Sequence, residues 1–446
     1  MDIVIAGAGE VGRHTAEVLS PAGHNITIID RNEALLATLD DQLDVRSYLG
    51  NATHAFALTE AGVASADLFV AATQNDETNL LAASIAKGLG AATTIARVHH
   101  SAYFDRHGLD YGRHLSIDHL VCPEHTTAQA IASALRSPGA LAIEQFARGK
   151  IQMQALPVAD KAKAVGVPLK DLALPQACRL AIIRRGERVI IPGAGTRLAG
   201  GDVATVIGEA ASFDKVSAML TGGTEQRLKV VVMGGSTQAV WVARALRHRR
   251  FAVRLFEPDR QRAEELSEKL DWITVLNEEV ISADAMAGER IGKADAFVAA
   301  TDDDESNVLA AAMAKSIGAD LAVAVQQRGT YLHLLEHVGI DKAFSPRITA
   351  VTEITRLMDK GAIRRLAPLA EGFAEVFEVR VPPTATKSVG KPLKGLELPQ
   401  DTILAVIQRD GEVFVPGGDS TIEQGDTVIV IAPEAARKAL GRLFSA

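Results

Sequence analysis

Cysteine is nearly absent: two residues, Cys122 and Cys178, in 446. That excludes a disulfide scaffold and points to a reducing compartment. Aromatic residues are scarce, at 4% of a chain that is 47% hydrophobic, so aliphatic side chains must fill its cores. No apolar run reaches the roughly 18 residues that suggest a membrane span. The N-terminus enters a strand directly, with no basic region and apolar leader of the secretory kind. Positive charge is not in excess: 47 Lys and Arg stand against 55 Asp and Glu, a net charge of −8. That balance argues against a sequence-independent nucleic-acid surface, so nucleic acid is not expected as a partner. The expectation is a cytosolic protein, free to dock on a membrane component.

What the chain has, it has twice. Ile3-Val4-Ile5-Ala6-Gly7-Ala8-Gly9-Glu10-Val11-Gly12 opens one half and Val230-Val231-Val232-Met233-Gly234-Gly235-Ser236-Thr237-Gln238-Ala239 the other. The same interval that carries Gly7 to Gly234 carries Asp30 to Glu257. Ala72-Thr73-Gln74-Asn75-Asp76-Glu77-Thr78-Asn79 returns as Ala300-Thr301-Asp302-Asp303-Asp304-Glu305-Ser306-Asn307. Gly166-Val167-Pro168-Leu169 returns as Gly390-Lys391-Pro392-Leu393, and Gly201-Asp202 as Gly425-Asp426. Units of about 220 residues are too long for a solenoid, so each is one large domain or two small ones. No unrelated domain is left over to hold a substrate.

Each unit divides again. In residues 1–120 the runs Ile3–Ala6, Ile26–Ile29, Leu68–Ala71 and Thr94–Ala96 are continuously apolar, as strands covered on both faces are. Helical patterns lie between them, so the expected fold is a doubly wound, Rossmann-like parallel sheet. An amphipathic helix follows at about Glu124–Arg136, with a counterpart after Ser345-Pro346 carrying Ile348, Val351, Ile354, Thr355 and Met358. Such a stripe faces a core or a dimer partner. Residues 141–208 read as short hairpin strands with turns at Arg185-Gly186-Glu187 and Gly201-Asp202, a small α+β lobe. A helix, Ala211–Leu220, and the loop Thr221-Gly222-Gly223-Thr224 then separate the units.

The loop Gly7, Ala8, Gly9, Glu10, Val11 and Gly12 lies between a strand and a helix. Gly7 permits the tight turn, Gly9 lets backbone approach a pyrophosphate, and Gly12 lets the helix pack on the strand. The helix N-terminus directs free N–H groups at the anion. Asp30 closes the second strand at about the 20-residue spacing that places a carboxylate on a ribose 2′,3′-diol. It would repel a 2′-phosphate, which argues against NADP. The diol is common to NAD, ATP and ADP, so the motif does not choose among them. Thr73 and Gln74 leave the fourth strand where ligands of open α/β sheets bind, and are ligand candidates. Asp76-Glu77 suits a helix cap and its dipole. Arg97, ending the next strand, is equally suited to a phosphate or a salt bridge.

The second loop has Ser236 and Ala239 at the positions of Gly9 and Gly12 but keeps a carboxylate, Glu257. We expect a weakened, altered or lost site there. His99, His100, His107, His114, His119 and His125 match no zinc spacing and have no cysteine pair beside them. None of Tyr48, Tyr103, Tyr111 and Tyr331 has a lysine four residues on, and no Gly-x-Ser-x-Gly elbow occurs.

These paired glycine loops with Asp30 and Glu257, paired Thr-x-x-Asp-Glu-x-Asn loops and paired Gly-x-Pro-Leu and Gly-Asp lobes together resemble the TrkA family, peripheral regulators of Trk potassium uptake built from tandem RCK (KTN) domains. The resemblance covers essentially the whole chain. It implies a nucleotide-binding lobe at 1–122, a small lobe at 140–222, a second Rossmann-like lobe at 228–345 and a second small lobe at 362–446. It implies control by NAD(H), and in some members ATP and ADP, with Asn51, Ala52 and Thr301 joining the residues above at the nucleotide sites. It implies a homo-oligomeric ring, a tetramer, held at the inner face of the membrane by a potassium-conducting subunit. The chain departs from the family at the Gly50-Asn51 turn, where Asp is common, and near His99, where a second basic residue is. The competing readings are an NAD-dependent oxidoreductase, for which no proton donor set is found, and an assembly scaffold with vestigial sites, which leaves the intact first loop unexplained.

Overall fold

The computed structural model describes residues 1–104, 108–136, 142–146, 151–175, 178–186, 188–222, 227–327, 335–358, 363–369, 374–382, 385, 388–410 and 412–444. His107, Glu187, Gly223, Thr224 and Tyr331, and the expected lobe boundaries at 140, 362 and 446, lie outside them.

The first half begins with strands β1 (Asp2–Ala6), β2 (Asn25–Asp30), β3 (Arg46–Leu49), β4 (Leu68–Ala71), β5 (Thr94–Arg97) and β6 (His119–Val121). They form one parallel sheet in the order β3-β2-β1-β4-β5-β6. Helices α1 (Glu10–Leu19), α2 (Glu33–Gln42), α3 (Ala55–Glu60) and α4 (Asp76–Leu89) make the crossovers. The central strands β1 and β4 are buried on both faces: every residue of β4, and Ile3 to Ala6 of β1, is in the core. This is why they read as unbroken apolar runs. The strand order reverses between β1 and β4, which opens a crevice at their carboxyl ends.

The second half repeats the design. Leu228–Met233, Phe251–Phe256, Thr274–Leu276, Ala296–Ala299, Ala322–Val325 and Lys342–Phe344 form a second six-stranded sheet with the same order. The small lobes are antiparallel. Cys178–Arg185 pairs with Arg188–Ile190, and Val203–Glu209 lies between Cys178–Arg185 and Ile151–Pro157. Ile363–Leu369, Ala374–Arg380, Ile403–Arg409, Glu412–Phe414 and Thr427–Ala432 build the counterpart.

The chain divides into two compact units, and each takes a part from both repeats. One comprises Met1–Ile131 and Arg227–Met358, the two Rossmann-like lobes; the other comprises Ala132–Gln226 and Asp359–Ala446, the two small lobes. In the first unit the linking helix Pro346–Met358 of the second repeat gives Ala350, Ile354 and Met358 to the core of the first sheet, alongside Val11 and Leu19 of α1. The apolar stripe seen in the sequence is thus buried on the other repeat. Reciprocally, the helix Pro123–Arg136 offers the carbonyl of Glu124 to the side chain of Gln238, and the two linking helices meet through Thr127 and Thr349 (3.0 Å between hydroxyls). In the second unit, Ile151, Ala181 and Ile207 share a core with Val376, Val406 and Ile429. Arg179 reaches across to the carbonyls of Leu404 (2.6 Å) and Pro416 (2.7 Å).

The Gly-Asp turns have a structural role that needs a partner far along the chain. Gly201 and Gly425 hold φ of 80° and 87°. The carboxylates of Asp202 and Asp426, each 1% exposed, accept two bonds from Arg185 (2.7 and 2.8 Å) and Arg409 (2.9 and 2.8 Å). Among the described residues, no helix is long and apolar enough to cross a membrane.

Candidate functional site

The crevice between β1 and β4 is built by glycines with distinct duties. Gly7 sits at φ 109°, and a Cβ there would press on the backbone of Ala72 and Thr73 at 3.0 Å. A Cβ on Gly12 would collide with the carbonyl of Gly7. Those two glycines are demanded by the fold itself. Gly9 is different: it has an ordinary φ of −73°, and a Cβ would meet nothing within 4 Å. The space beside it is open. Gly9 is also the N-cap of α1, with no side chain capping the helix. The first turn of α1 therefore has no side-chain acceptor at its cap and open space beside Gly9, an arrangement suited to phosphate.

Asp30 stands at the end of β2, next to this loop. Its two carboxylate oxygens accept from the N–H of Ala8 (2.7 Å) and of Asn32 (2.8 Å). The bonds fix the carboxylate and the loop together, and each oxygen keeps a second lone pair for a ribose hydroxyl. Asn51 and Ala52 follow β3 beside it, where the Gly50 N–H donates to the Asp30 carbonyl (2.8 Å). The Asn51 side chain accepts from the Thr53 N–H (3.0 Å) and hydroxyl (2.9 Å), so it shapes its own turn.

Thr73 and Gln74 leave β4 on the other side of the crevice. Thr73 is committed to the protein: its N–H and hydroxyl donate to Asn79 Oδ1 at 2.8 and 2.7 Å. Asn79, fully buried, donates in turn to the carbonyls of Thr73 (3.0 Å) and Arg97 (2.9 Å), tying the β4 loop to the end of β5. Thr301 and Asn307 repeat this geometry, at 2.9 and 2.7 Å. Asn79 and Asn307 were visible in the repeated motif, but nothing in sequence showed what they fasten. Gln74 is exposed.

Asp76 does not cap α4. Asn75 does, accepting from the Thr78 N–H (2.7 Å). Asp76 is buried and receives the N–H groups of His99 and His100 and the His99 ring nitrogen (2.7 Å). Burial alone would raise its pKa, but those bonds hold the carboxyl below its ordinary value. Arg97 turns to Glu124 (2.9 Å), largely out of solvent. The Cys122 thiol beside it is pushed well above its usual pKa by burial. Among the described residues, no group of three or more His, Cys, Asp or Glu could hold a metal ion.

One contact could not be read from sequence at all. Glu10, in the first turn of α1, pairs with Arg347 from the linking helix of the second repeat. Glu10 is 61% exposed and Arg347 only 12%. Desolvation pulls the pKa of Arg347 below its ordinary value; the guanidinium is still a cation at neutral pH, and a half-buried cation of this kind favours an anion at the mouth of the first loop.

The second loop has a cavity of about 350 Å³, and its chemistry is different. Ser236 caps its own helix: the hydroxyl accepts from the Ala239 N–H (3.1 Å) and donates to the Ala300 carbonyl (2.6 Å). The oxygen therefore takes the place that stands open at Gly9. Arg262 is held on the Gly235 carbonyl by two bonds, 3.0 and 2.9 Å. Glu257 accepts from the Asp259 N–H (2.9 Å). The lining carries Glu257, Asp259, Glu278, Glu279 and Asp302 against that one arginine, a field that opposes a polyphosphate.

Comparison with known proteins gives the same organisation. The TrkA-N domain family model matches residues 3–123 and 230–346, and the TrkA-C domain model residues 153–221 and 376–445. A Trk system potassium uptake protein TrkA homolog of Archaeoglobus fulgidus is 37% identical over 437 residues, 97% of either chain. The Trk system potassium uptake protein TrkA of Haemophilus influenzae is 31% identical, over 96% of this chain and 95% of that one. Among solved structures, the GsuK channel bound to NAD superimposes with a TM-score of 0.62 at 16% identity, covering 99% of this chain and 78% of that one. GsuK bound to ADP gives 0.53 at 13% identity, over 80% and 69%. The chain belongs to the TrkA family.

Proposed function

We propose that this chain is a nucleotide-sensing regulatory subunit of a Trk-type potassium uptake system. The observation that carries the reading is the open, uncapped N-terminus of α1 at Gly9, set beside the fixed carboxylate of Asp30. In this reading the Gly7–Val11 loop, with Ala8, Gly9 and Glu10, takes the phosphates of an adenine nucleotide. Asp30 takes the ribose diol, and Asn51 and Ala52 border the adenosine side. Gln74 is the free side chain on the β4 side, with Thr73 holding the loop. Arg97 serves a phosphate only by exchanging Glu124 for it. Glu257 and Thr301 keep the frame of a second site that binds more weakly or more selectively, given the Ser236 cap and the acidic lining.

Ligands of this shape are NAD(H) and ADP or ATP; the GsuK structures named above carry NAD and ADP. The names of the full-length relatives support the potassium-uptake role. The chain would assemble as a homotetrameric ring on a membrane-embedded, potassium-conducting partner and change that partner's flux without chemistry on the nucleotide. Co-purification with a Trk-type membrane subunit, then potassium flux with NADH, NAD⁺, ADP and ATP in turn, tests the reading. Flux indifferent to all four, or sustained oxidation of NADH by the protein, would overturn it.

A further inference from the structure

The second Rossmann-like lobe carries a feature at the edge of its sheet opposite the glycine loop. A cavity of about 430 Å³ opens where the strands Leu228–Met233, Phe251–Phe256 and Thr274–Leu276 begin. A six-residue strand separates it from the loop by about 20 Å. It is within the size range of small-ligand sites. Ligands of open α/β sheets bind at the carboxyl edge, so this cavity is not part of the nucleotide site.

Its lining is strongly basic in a chain of net charge −8. Arg227, Lys229, Arg254, Arg290 and Lys293 face it with a single carboxylate, Glu289. Arg254 is held by Glu289 through two bonds, 3.0 Å to the carboxylate and 2.9 Å to the carbonyl. Among the described residues, no carboxylate pairs with the side chains of Arg227, Lys229, Arg290 or Lys293. Four cations around one concavity, with no carboxylate paired to them among the described residues, repel each other, and an anion relieves that repulsion. The indole of Trp272 lines the same cavity, with the guanidinium of Arg247 stacked 4.3 Å from its ring centre.

The first repeat serves as an internal control. Asp2, Thr27, Gly62 and Ser65 stand there in place of Lys229, Arg254, Arg290 and Lys293; only Arg46, at the place of Thr274, is basic. The fold therefore does not require the cations. Arg290 adds a second observation. It precedes the short helix Ile291–Lys293 with φ 55°, the left-handed region, where Gly62 of the first repeat has φ 85°. A long side chain stands where the local backbone favours glycine.

We propose that this cavity is a second anion site, taking a phosphate-bearing ligand of at least two negative charges, either free in solution or as a lipid headgroup. Arg227, Lys229, Arg290 and Lys293 supply the charge, and Glu289 sets the direction of Arg254. Being ionic and open at the surface, the site weakens with salt.

The test uses the full chain, titrated with inorganic pyrophosphate by calorimetry at low and high salt. Sedimentation with phosphatidylglycerol–phosphatidylcholine vesicles, against phosphatidylcholine alone, runs beside it. The variants are the double substitution Lys229→Gln/Lys293→Gln and Arg290→Gly. We expect either variant to weaken binding by about tenfold or more, as loss of charge-assisted bonds does. Arg290→Gly should not lower the unfolding midpoint, since it restores the glycine of the first repeat. Pyrophosphate binding lost in the variants identifies a free ligand; vesicle binding alone, lost in the variants, identifies a headgroup. No saturable binding of either probe, or binding equal in wild type and variants, overturns the proposal.

Discussion

The two glycine loops of this chain make a single exchange informative: Gly9→Ser, which writes the second loop's chemistry into the first. The backbone already suits it. Gly9 has φ −73° and ψ −172°, and Ser236 has φ −62° and ψ 166°. A Cβ at Gly9 touches nothing within 4 Å. The introduced hydroxyl would cap α1 as Ser236 caps its own helix, which stabilises the free protein by a few tenths of a kcal/mol relative to glycine. The same hydroxyl would occupy the open space proposed for a phosphate and take a helix N–H from it. Losing a hydrogen bond to a charged group removes about 2 kcal/mol of binding, or roughly 30-fold in Kd. At a nucleotide concentration 100 times the wild-type Kd, ligand stabilisation should fall from about 2.7 to about 0.9 kcal/mol. Calorimetry with NADH, and thermal melts with and without it, measure both quantities. The expected signature is opposite signs: an unchanged or higher midpoint alone, and a smaller shift on adding NADH. Unchanged NADH affinity would refute phosphate binding at α1. A midpoint several degrees lower would show that Gly9 serves the fold.

Four further outcomes are expected. Asp30→Ala should weaken NADH binding by about 1–3 kcal/mol and narrow the preference for NADH over NADPH, both read by calorimetry. Arg347→Gln, by leaving Glu10 unneutralised at the mouth of the loop, should weaken ADP more than NAD⁺, by about tenfold for a charge-assisted contact; equal loss for both nucleotides would sink the electrostatic account. Arg185 holds the carboxyl of Asp202 below its ordinary 3.8, against the burial that would raise it. A carboxylate of this kind stabilises at neutral pH, and the contribution is lost as pH falls through its folded-state value, below 3.8. Asp202→Asn should therefore be less stable than wild type to urea at pH 7, with the gap closing under strongly acidic conditions. Finally, NADH absorbance should stay constant in the protein's presence across a panel of metabolites.

Much of this architecture lies on the surface of the sequence, for local reasons. β1, β2, β4 and β5 are covered on both faces, and that alone makes Ile3–Ala6 or Leu68–Ala71 unbroken apolar runs. The duties of Gly7 and Gly12 follow from the turn they occupy. Contacts between distant segments have no such signature. Asp76 reads as a cap because it stands in a first turn, yet its partners are His99 and His100 on a neighbouring loop. Arg347 and Glu10 belong to different repeats and meet only because a linking helix of one packs on α1 of the other. Arg185 is an unremarkable hairpin residue until Asp202 is seen beneath it. A linear order of lobe, linker and lobe also conceals that the compact units pair like with like.

The pairing bears on how such a subunit could do work on a partner. In the proposed reading each chain has one open site and one whose helix terminus is satisfied from within. In that reading nucleotide would enter the first repeat, while the second repeat frames the site: Ala350, Ile354 and Met358 brace α1, and Arg347 stands at its first turn. A phosphate drawing Arg347 from Glu10 would change the contact between the two repeats, so binding at one lobe is felt by the other. The free energy available is limited to the ligand's preference between states. A change of contact such as this yields about 1–2 kcal/mol per site, within the usual range for allosteric coupling. Moving a population from 1:99 to 99:1 takes about 5.5 kcal/mol. One site falls short of that, and about four equivalent sites reach it, provided that the assembly changes state as a whole. Closed symmetry supplies that condition, so the modest energy of each site is itself a reason for a ring of several chains.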